Sequence, residues 1–202
     1  MRARLDKPAL RQELKERLAS MRSNQQNWQR AQQDLSANLK TFLEGLLATR
    51  NSTFILGTFA PLPDEPQWPL AFGTDGKWWS DNGCATAFPK PLSGGGMSFR
   101  RAALGELVRD KGFGVPIMVP TAVAPEVVPD ALLVPALGLG SDGKRLGRGK
   151  GYYDRYLENY RGLKIGIVLD EMVVEGIPTD AHDVDMDVVV TSKRVLWKSK
   201  SP

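Results

Sequence analysis

The spacing of apolar residues changes partway along this chain, and that change limits the folds it can adopt. Over residues 7–22, Leu10, Leu14 and Leu18 recur at helical spacing, and a second apolar stripe runs from about Asn27 to Ala48. Residues three or four apart share one face of a helix, so both stretches predict amphipathic helices. After Ala48 the helical period is lost and the apolar residues occur in short runs.

These short runs are typical of buried strands. They are Phe54–Phe59, Cys84–Phe88, Ala131–Leu137, Lys164–Leu169 and Val188–Thr191. Helical segments are expected between them, at Phe99–Lys111 and Tyr152–Tyr160, whereas Pro61–Gly96 is expected to be mostly loop with a strand inside it. Strands that alternate with helices predict an α/β fold. We expect a single-domain three-layer sandwich over residues 1–202, with a mostly parallel sheet flanked by helices.

The most informative short segment is the glycine-rich stretch Arg145-Leu-Gly-Arg-Gly-Lys-Gly-Tyr-Tyr-Asp154, in which Arg148 and Lys150 alternate with glycines. Glycine allows a positive φ and a close approach of the backbone to a ligand. A helical pattern begins after Gly151, and free N–H groups at a helix N-terminus favour phosphate. The spacing is neither that of a P-loop nor that of a Rossmann fingerprint. The segment therefore predicts an anion-binding loop of another kind, with a solvated glycine-rich turn as the alternative.

The position of this loop also favours a ligand site, because it follows the predicted strand Ala131–Leu137. In open α/β sheets, ligands bind beyond the carboxyl ends of the strands. The formal net charge of +4 favours anionic ligands such as nucleotides without requiring nucleic acid.

Composition excludes several other classes of protein. Cys84 is the only cysteine, which excludes an internal disulfide and a cysteine-based zinc site. The sequence has neither a recognisable secretory signal nor an apolar run of roughly 18 residues. We therefore expect a soluble, cytoplasmic protein without a membrane partner.

An ordered set of motifs spans nearly the whole chain. It comprises Lys7-x-x-x-Arg11, Phe59-Ala-Pro-Leu-Pro-Asp-Glu65, Phe88-Pro-Lys90, Met97-x-Phe99, Gly112-Phe-Gly-Val-Pro116, the block from Leu133 to Leu157, and Pro178–Ser192. In this order the motifs resemble the 5-formyltetrahydrofolate cyclo-ligase family, also called methenyltetrahydrofolate synthetases. The block from Leu133 to Leu157 is the specific part of the resemblance, and the other motifs are weak alone.

The resemblance implies an ATP- and Mg²⁺-dependent reaction on a reduced folate, with no nucleic acid involved. Members of the family convert 5-formyltetrahydrofolate to 5,10-methenyltetrahydrofolate and release ADP and phosphate. The formyl oxygen attacks the γ-phosphate, N10 adds to the activated carbon, and phosphate leaves as the ring closes. Positioning and charge stabilisation would then be the main tasks of the protein, which we expect to be a monomer.

The resemblance also implies roles for individual residues on the ATP side. The residues that match or adjoin the family's ATP loop are Arg145, Gly147, Arg148, Gly149, Lys150, Gly151, Tyr152 and Tyr153. Arg148 and Lys150 would act on the transferring phosphate. Tyr152 or Tyr153 would orient the formyl group or the folate, and helix packing is the alternative for both. Lys7 and Arg11, one helical turn apart, would contact ATP from the first helix.

Metal and folate contacts follow by the same comparison. Asp154 and Asp187 match magnesium-associated aspartates, since a hard cation that bridges phosphates prefers carboxylate oxygen. Their alternatives are a helix cap and a strand-end turn residue. Glu65 would accept hydrogen bonds from the pterin, while Ala60, Phe113 and Tyr152 would line the folate pocket. His182, the only histidine, is expected to order a loop.

Two other functions remain open at this point. A paralogue could keep the nucleotide loop and activate a different formyl or amide compound, with the difference in the tryptophan-rich region 61–96. A non-enzymatic module could bind nucleotides or RNA through the loop and the stacking tyrosines. The dispersed basic residues and the negative charge of Asp154 beside the loop favour the enzyme over this module.

Overall fold

A computed structural model describes residues 6–50, 52–111 and 116–198 of the chain. Its α-helices are α1 (Lys7–Ser23), α2 (Gln25–Leu47), α3 (Lys77–Asp81) and α4 (Tyr152–Glu158). Helix α1 begins where the Asp6 side chain accepts a hydrogen bond from the Ala9 N–H and Pro8 occupies the first turn. Both features stabilise a helix N-terminus. None of the helices in these ranges has the length and apolar run that a membrane crossing requires.

The strands form one large sheet and two short hairpin sheets. They are β1 (Phe54–Gly57), β2 (Cys84–Pro91), β3 (Met97–Arg101), β4 (Val108–Asp110), β5 (Ile117–Val119), β6 (Glu126–Val127), β7 (Ala131–Pro135), β8 (Gly138–Leu139), β9 (Arg145–Leu146), β10 (Leu163–Ile167), β11 (Val188–Val190) and β12 (Val195–Trp197). The eight-stranded sheet has the order β12-β11-β10-β7-β1-β2-β3-β6. Its central pairs, from β11 to β2, are parallel, and β12, β3 and β6 add antiparallel edges.

Helices cover both faces of this sheet. Along β7, Leu132 and Val134 pack in a core with α1 and α4, whereas Ala131 and Leu133 pack in a second core with α2. Alternate residues of a strand point to opposite faces, so a strand buried on both faces is apolar throughout. The predicted α/β fold with a mostly parallel sheet and flanking helices is confirmed.

The helix predicted over Phe99–Lys111 is wrong. Met97–Arg101 forms β3, a short 3₁₀ turn follows at Leu104–Glu106, and β4 comes next. Gly94 and Gly95 have φ of 93° and 86°, and the Leu92 N–H donates to the Gly96 carbonyl at 2.9 Å. This tight turn folds β3 back on β2 and buries its apolar residues there, which outweighs the helical spacing of the sequence.

The tryptophan-rich region 61–96 contains β2, the short helix α3 and a 3₁₀ turn at Trp68–Ala71. Trp68 is buried, and its indole N–H donates to the Phe59 carbonyl at 2.8 Å. Phe72 stacks on Trp79, with ring centres 4.8 Å apart, and Trp78 meets Trp79 edge to face. These rings form a core cluster that supports the chain leaving β1.

Candidate active site

A cavity of about 290 Å³ opens at the carboxyl ends of β1, β2 and β7. Segments distant in the sequence form its walls, including the loop after β1, the start of β5 and the glycine-rich loop. The lining residues are Phe59, Ala60, Leu62, Glu65, Pro89, Ile117, Met118, Pro135, Ala136, Arg145 and Gly147–Asp154. The structure therefore brings most of the residues predicted to bind ATP and folate into one cavity.

The glycine-rich loop reaches this cavity through two residues with a left-handed backbone. Gly149 has φ of 92°, and Gly151 has φ of 70° and forms the N-cap of α4. Arg11 supports the loop from α1, because its Nε donates to the Gly147 carbonyl at 3.0 Å. A Cβ on Gly149 would lie 3.6 Å from the Arg11 guanidinium carbon. The loop thus leads into a helix N-terminus, as the sequence predicts.

Arg155 ties the far end of the loop to the β2–β3 turn. Its Nη2 donates to the Gly95 carbonyl at 2.6 Å and to the Lys150 carbonyl at 3.4 Å. Its guanidinium also lies over the Tyr152 ring, 5.2 Å from the ring centre. The ammonium of Lys150 has no ion-pair partner within the described ranges and is exposed at the cavity.

Arg145 and Asp154 form an ion pair at the base of the cavity. Arg145 lies on β9 and is buried; its Nη1 donates to the Pro135 carbonyl, and its Nη2 pairs with Asp154 Oδ1. The pair joins the end of β7 to the first turn of α4. The second oxygen of Asp154 accepts no hydrogen bond within the described part of the chain, so it is available at the cavity wall.

Tyr153 presents a buried phenol beside this ion pair. Its oxygen has no hydrogen-bond partner among the described residues, and its ring lies 5.9 Å from the Arg145 guanidinium. Burial, and secondarily the negative charge of Glu65, raises the pKa of Tyr153 far above its ordinary value of 10.0. The phenol therefore stays protonated at neutral pH and can act as a hydrogen-bond donor.

Glu65 lies opposite the glycine-rich loop and is buried. One oxygen accepts the Leu62 N–H at 3.0 Å, and the other lies 3.2 Å from Arg148 Nε. Asp64 holds the Nη2 of the same arginine at 2.9 Å. Burial raises the pKa of Glu65 above its ordinary value, although the Leu62 N–H and the Arg148 charge act in the opposite direction. The loop arginine is thus tied to two consecutive acids of the facing loop.

Lys7, predicted to contact ATP, is not among the described residues that line the cavity. It pairs with Asp180 and Asp183 at 2.6 and 2.5 Å. The two partners belong to a turn that also carries His182, which is exposed. Phe113 lies outside the described residues.

Asp187 is at the wrong edge of the sheet for a shared metal site. It precedes β11, at the amino ends of the parallel strands, and accepts the Lys164 N–H at 2.8 Å. Its carboxylate also pairs with Lys164 Nζ at 2.8 Å. The cavity lies at the carboxyl ends of the strands, so the structure does not bring the two aspartates predicted to bind magnesium, Asp154 and Asp187, together.

Several residues in or beside the cavity had no predicted role. Asp64 does not line the main cavity but holds Arg148, and its charge next to Glu65 was the signal that could have found it. Ile117 and Met118 were not predicted, because a three-residue strand at the cavity rim has no clear sequence pattern. Region 61–96, where a paralogue was expected to differ, contributes Leu62, Glu65 and Pro89 to the lining. Its tryptophans pack in the core cluster and are not among the described lining residues.

Comparison with known proteins places this geometry in a family. The model of the 5-formyltetrahydrofolate cyclo-ligase family matches residues 90–192, about half of the chain. A 5-formyltetrahydrofolate cyclo-ligase of Mycolicibacterium smegmatis is 45% identical over 67 residues, 32% of this chain and 34% of that protein. The mouse protein of the same name is 39% identical over 67 residues, 30% of this chain and 33% of that one. These alignments span about a third of the length of the curated relatives.

Structural similarity extends further than these alignments. The structure of Aquifex aeolicus 5,10-methenyltetrahydrofolate synthetase matches with a TM-score of 0.77 and 27% identity, over 97% of this chain and 94% of that one. A synthetase of the same name from Mycoplasma pneumoniae shares the fold, with a TM-score of 0.68 at 23% identity, over 94% of this chain and 100% of that one. The glycine-rich loop lies within the matched half of the sequence, and the chain belongs to the 5-formyltetrahydrofolate cyclo-ligase family.

Proposed function

We propose that this protein is an ATP-dependent ligase that cyclises 5-formyltetrahydrofolate to 5,10-methenyltetrahydrofolate, with release of ADP and phosphate. The observation that carries the proposal is the single cavity lined both by the glycine–cation loop and by the buried acid Glu65. One wall offers cations and backbone N–H groups for phosphates. The facing wall offers a carboxylate for the amino group and ring N–H of a pterin.

The reaction needs positioning more than it needs a strong acid or base. The formyl oxygen attacks the γ-phosphorus, and the bond to the bridging oxygen breaks as ADP leaves. The lone pair of N10 then adds to the formyl carbon, and its proton passes to solvent. The carbon–oxygen bond electrons depart with phosphate, which leaves the cationic methenyl ring.

Different residues of the chain position the substrates and stabilise the transferring phosphate. Lys150 and Arg148 stabilise the transferring phosphate, and the glycine N–H groups hold the rest of the triphosphate. Arg11 and Arg145 keep the loop and the base of the cavity in place. The Tyr153 phenol, protonated and without a partner in the described structure, donates a hydrogen bond to the substrate.

Asp154 is suited to hold Mg²⁺ because one of its oxygens remains available at the cavity. Magnesium is usually bound through one or two carboxylates together with substrate phosphates. When bound, the ion would neutralise charge on the phosphates of ATP. Asp187 is left out of this set because it lies at the opposite edge of the sheet.

The test mixes the purified protein with (6S)-5-formyltetrahydrofolate, ATP and Mg²⁺ and follows the near-ultraviolet absorbance of methenyltetrahydrofolate. We expect a rise that requires both ATP and Mg²⁺. The absence of a rise while both substrates bind would refute the proposed reaction.

Lys150→Ala should lower kcat about 10²-fold, because a charge that stabilises the transferring phosphate is lost. The matched control is Lys144→Ala, which removes the same charge from the hairpin that leads into the loop. Lys144 pairs with Asp142 and is not among the described lining residues. Turnover at the wild-type rate in Lys150→Ala, with Lys144→Ala unaffected, would remove Lys150 from the phosphate site.

A further inference from the structure

Arg148 links two parts of the site. It belongs to the loop that would hold phosphates, yet its guanidinium is bound by Asp64 at 2.9 Å and by Glu65 at 3.2 Å. We propose that this bridge couples the two substrate subsites: the bridge opens when either substrate binds, so each substrate binds more tightly in the presence of the other. The inference rests on the proposed function, because it takes Glu65 as the folate acid and Arg148 as a phosphate ligand.

Competition for Glu65 is the first reason. With the bridge closed, one oxygen of Glu65 is engaged by the Leu62 N–H and the other by Arg148. A pterin presents two parallel donors, its amino group and a ring N–H, and needs both oxygens. Because Glu65 is buried, its contact with Arg148 is strengthened by the low local dielectric. A folate that takes Glu65 therefore opens the bridge.

Competition for Arg148 is the second reason. With the bridge closed, the charge of Arg148 is already compensated, and two carboxylates lie beside it. A triphosphate that arrives alone must separate this arginine from both acids. If the folate has already taken Glu65, the contact of Arg148 with that acid is already broken, and the triphosphate has only Asp64 left to displace. Both substrates thus favour the same open state, which is the condition for positive coupling between two sites.

The arrangement of the cavities supports an opening movement. A second cavity of about 20 Å³ lies against α1 and α2, and Asp64, Glu65 and Arg148 are among its lining residues. Glu65 and Arg148 also line the main cavity of about 290 Å³. The bridge therefore lies between two spaces that the protein does not fill, which leaves room for its side chains to separate.

Asp64 is therefore a positioning residue. It acts through Arg148 and stabilises the closed state. Its side chain is 31% exposed, against 10% for Glu65, and it is not among the residues that line the main cavity. Asp64→Asn should shift the protein toward the open state without removing a substrate contact.

The experiment is isothermal titration calorimetry on the full chain with (6S)-5-formyltetrahydrofolate and the magnesium complex of β,γ-imido-ATP, which prevents turnover. Each ligand is titrated alone and with the other at saturation. In the wild type we expect the second ligand to bind at least about five-fold tighter than alone, the lower end of typical coupling. In Asp64→Asn the analogue alone should bind several-fold tighter, and the coupling factor should fall toward one.

Asp142→Asn is the matched control. It removes the same charge from an acid that is also ion-paired and lies on the hairpin leading into the glycine-rich loop. Its analogue affinity and coupling factor should match those of the wild type. If it tightens analogue binding as much as Asp64→Asn does, net charge explains the effect and the bridge does not.

Two further outcomes would overturn the inference. A wild-type coupling factor of about one means that the bridge does not link the sites. Coupling that persists in Arg148→Gln means that the substrates act on each other directly. Failure of 5-formyltetrahydrofolate to bind would refute the proposed function together with the coupling, whereas binding without coupling refutes the coupling alone.

Discussion

At the scale of single residues, Glu65 is a site residue held in an unfavourable environment. Burial raises its pKa above the ordinary value of 4.5, so the folded protein binds this proton more strongly than the unfolded chain does. Stability contributed by such a proton is fully present below the ordinary pKa. This contribution to the free energy of unfolding is lost as the pH rises toward the raised pKa of Glu65, and it remains absent at neutral pH.

Glu65→Gln should therefore raise the thermal midpoint at pH 7 and have little effect near pH 4. Glutamine can still accept the Leu62 N–H, and the arginine it releases is 37% exposed, so little is lost. Thermal unfolding of both proteins at the two pH values measures the difference. A lower midpoint for the variant at pH 7 would mean that the ion pair with Arg148 outweighs the cost of burial.

The substitution Tyr153→Phe should affect stability and activity differently. Its buried phenol oxygen has no partner among the described residues, so Tyr153→Phe removes no protein hydrogen bond. We expect unchanged or slightly higher stability, because the cost of burying an unpaired group is relieved. The kcat should fall, because the substrate loses the hydrogen bond that the phenol donates, with little change in the KM for ATP.

Tyr160→Phe is the control for this prediction. The Tyr160 phenol is buried and donates to the Pro129 carbonyl at 3.0 Å, away from the cavity. Its loss should lower the free energy of unfolding by about 1 kcal/mol and leave kcat unchanged. If Tyr153→Phe instead lowers the free energy of unfolding and retains the wild-type kcat, the Tyr153 hydroxyl has a structural role.

At the scale of elements, the glycine-rich loop combines backbone strain with a close neighbour. Gly149→Ala puts a Cβ on a residue with φ of 92° and places it 3.6 Å from the Arg11 guanidinium carbon. The strain should cost about 1–2 kcal/mol, and the KM for ATP should rise as the loop shifts. Steady-state kinetics and urea unfolding measure the two effects.

Gly45→Ala is the control for Gly149→Ala and lies within a regular helix. Gly45 lies inside α2, and a Cβ there meets no atom within 4 Å. This exchange should stabilise the protein by about 0.5–1 kcal/mol and leave the KM for ATP unchanged. Equal effects of the two substitutions would mean that the loop has no special backbone requirement.

The local sequence pattern predicted most helices and strands, but it did not predict which of them contact each other. The parallel strands were found because strands buried on both faces are apolar throughout, as Leu132–Val134 illustrates. The helix over Phe99–Lys111 was wrong because Met97 and Phe99 pair with β2 across a glycine turn, a contact that no local window contains. Helical spacing likewise put Lys7 and Arg11 on one face, but it could not predict that only Arg11 would meet the loop.

At the scale of the whole molecule, the sheet topology decides which acids share a site. Asp154 follows a loop at the carboxyl edge, whereas Asp187 precedes a strand at the amino edge. In the sequence, the residues that line the cavity belong to separate motifs. Their convergence depends on β1, β2 and β7 running in the same direction, which follows from the α/β pattern. The bridge from Arg148 to Asp64 joins two loops, and neither local sequence predicts it.

The contact between Arg11 and Gly147 has a consequence for how the site arises during synthesis. Helix α1 is made before the carbonyl that it binds, which lies 136 residues after Arg11. Until that residue is added, Arg11 has no loop to support, and the glycine-rich wall of the cavity does not exist. A ligand that needs this wall would therefore stabilise only chains in which α1 has already met the glycine-rich loop.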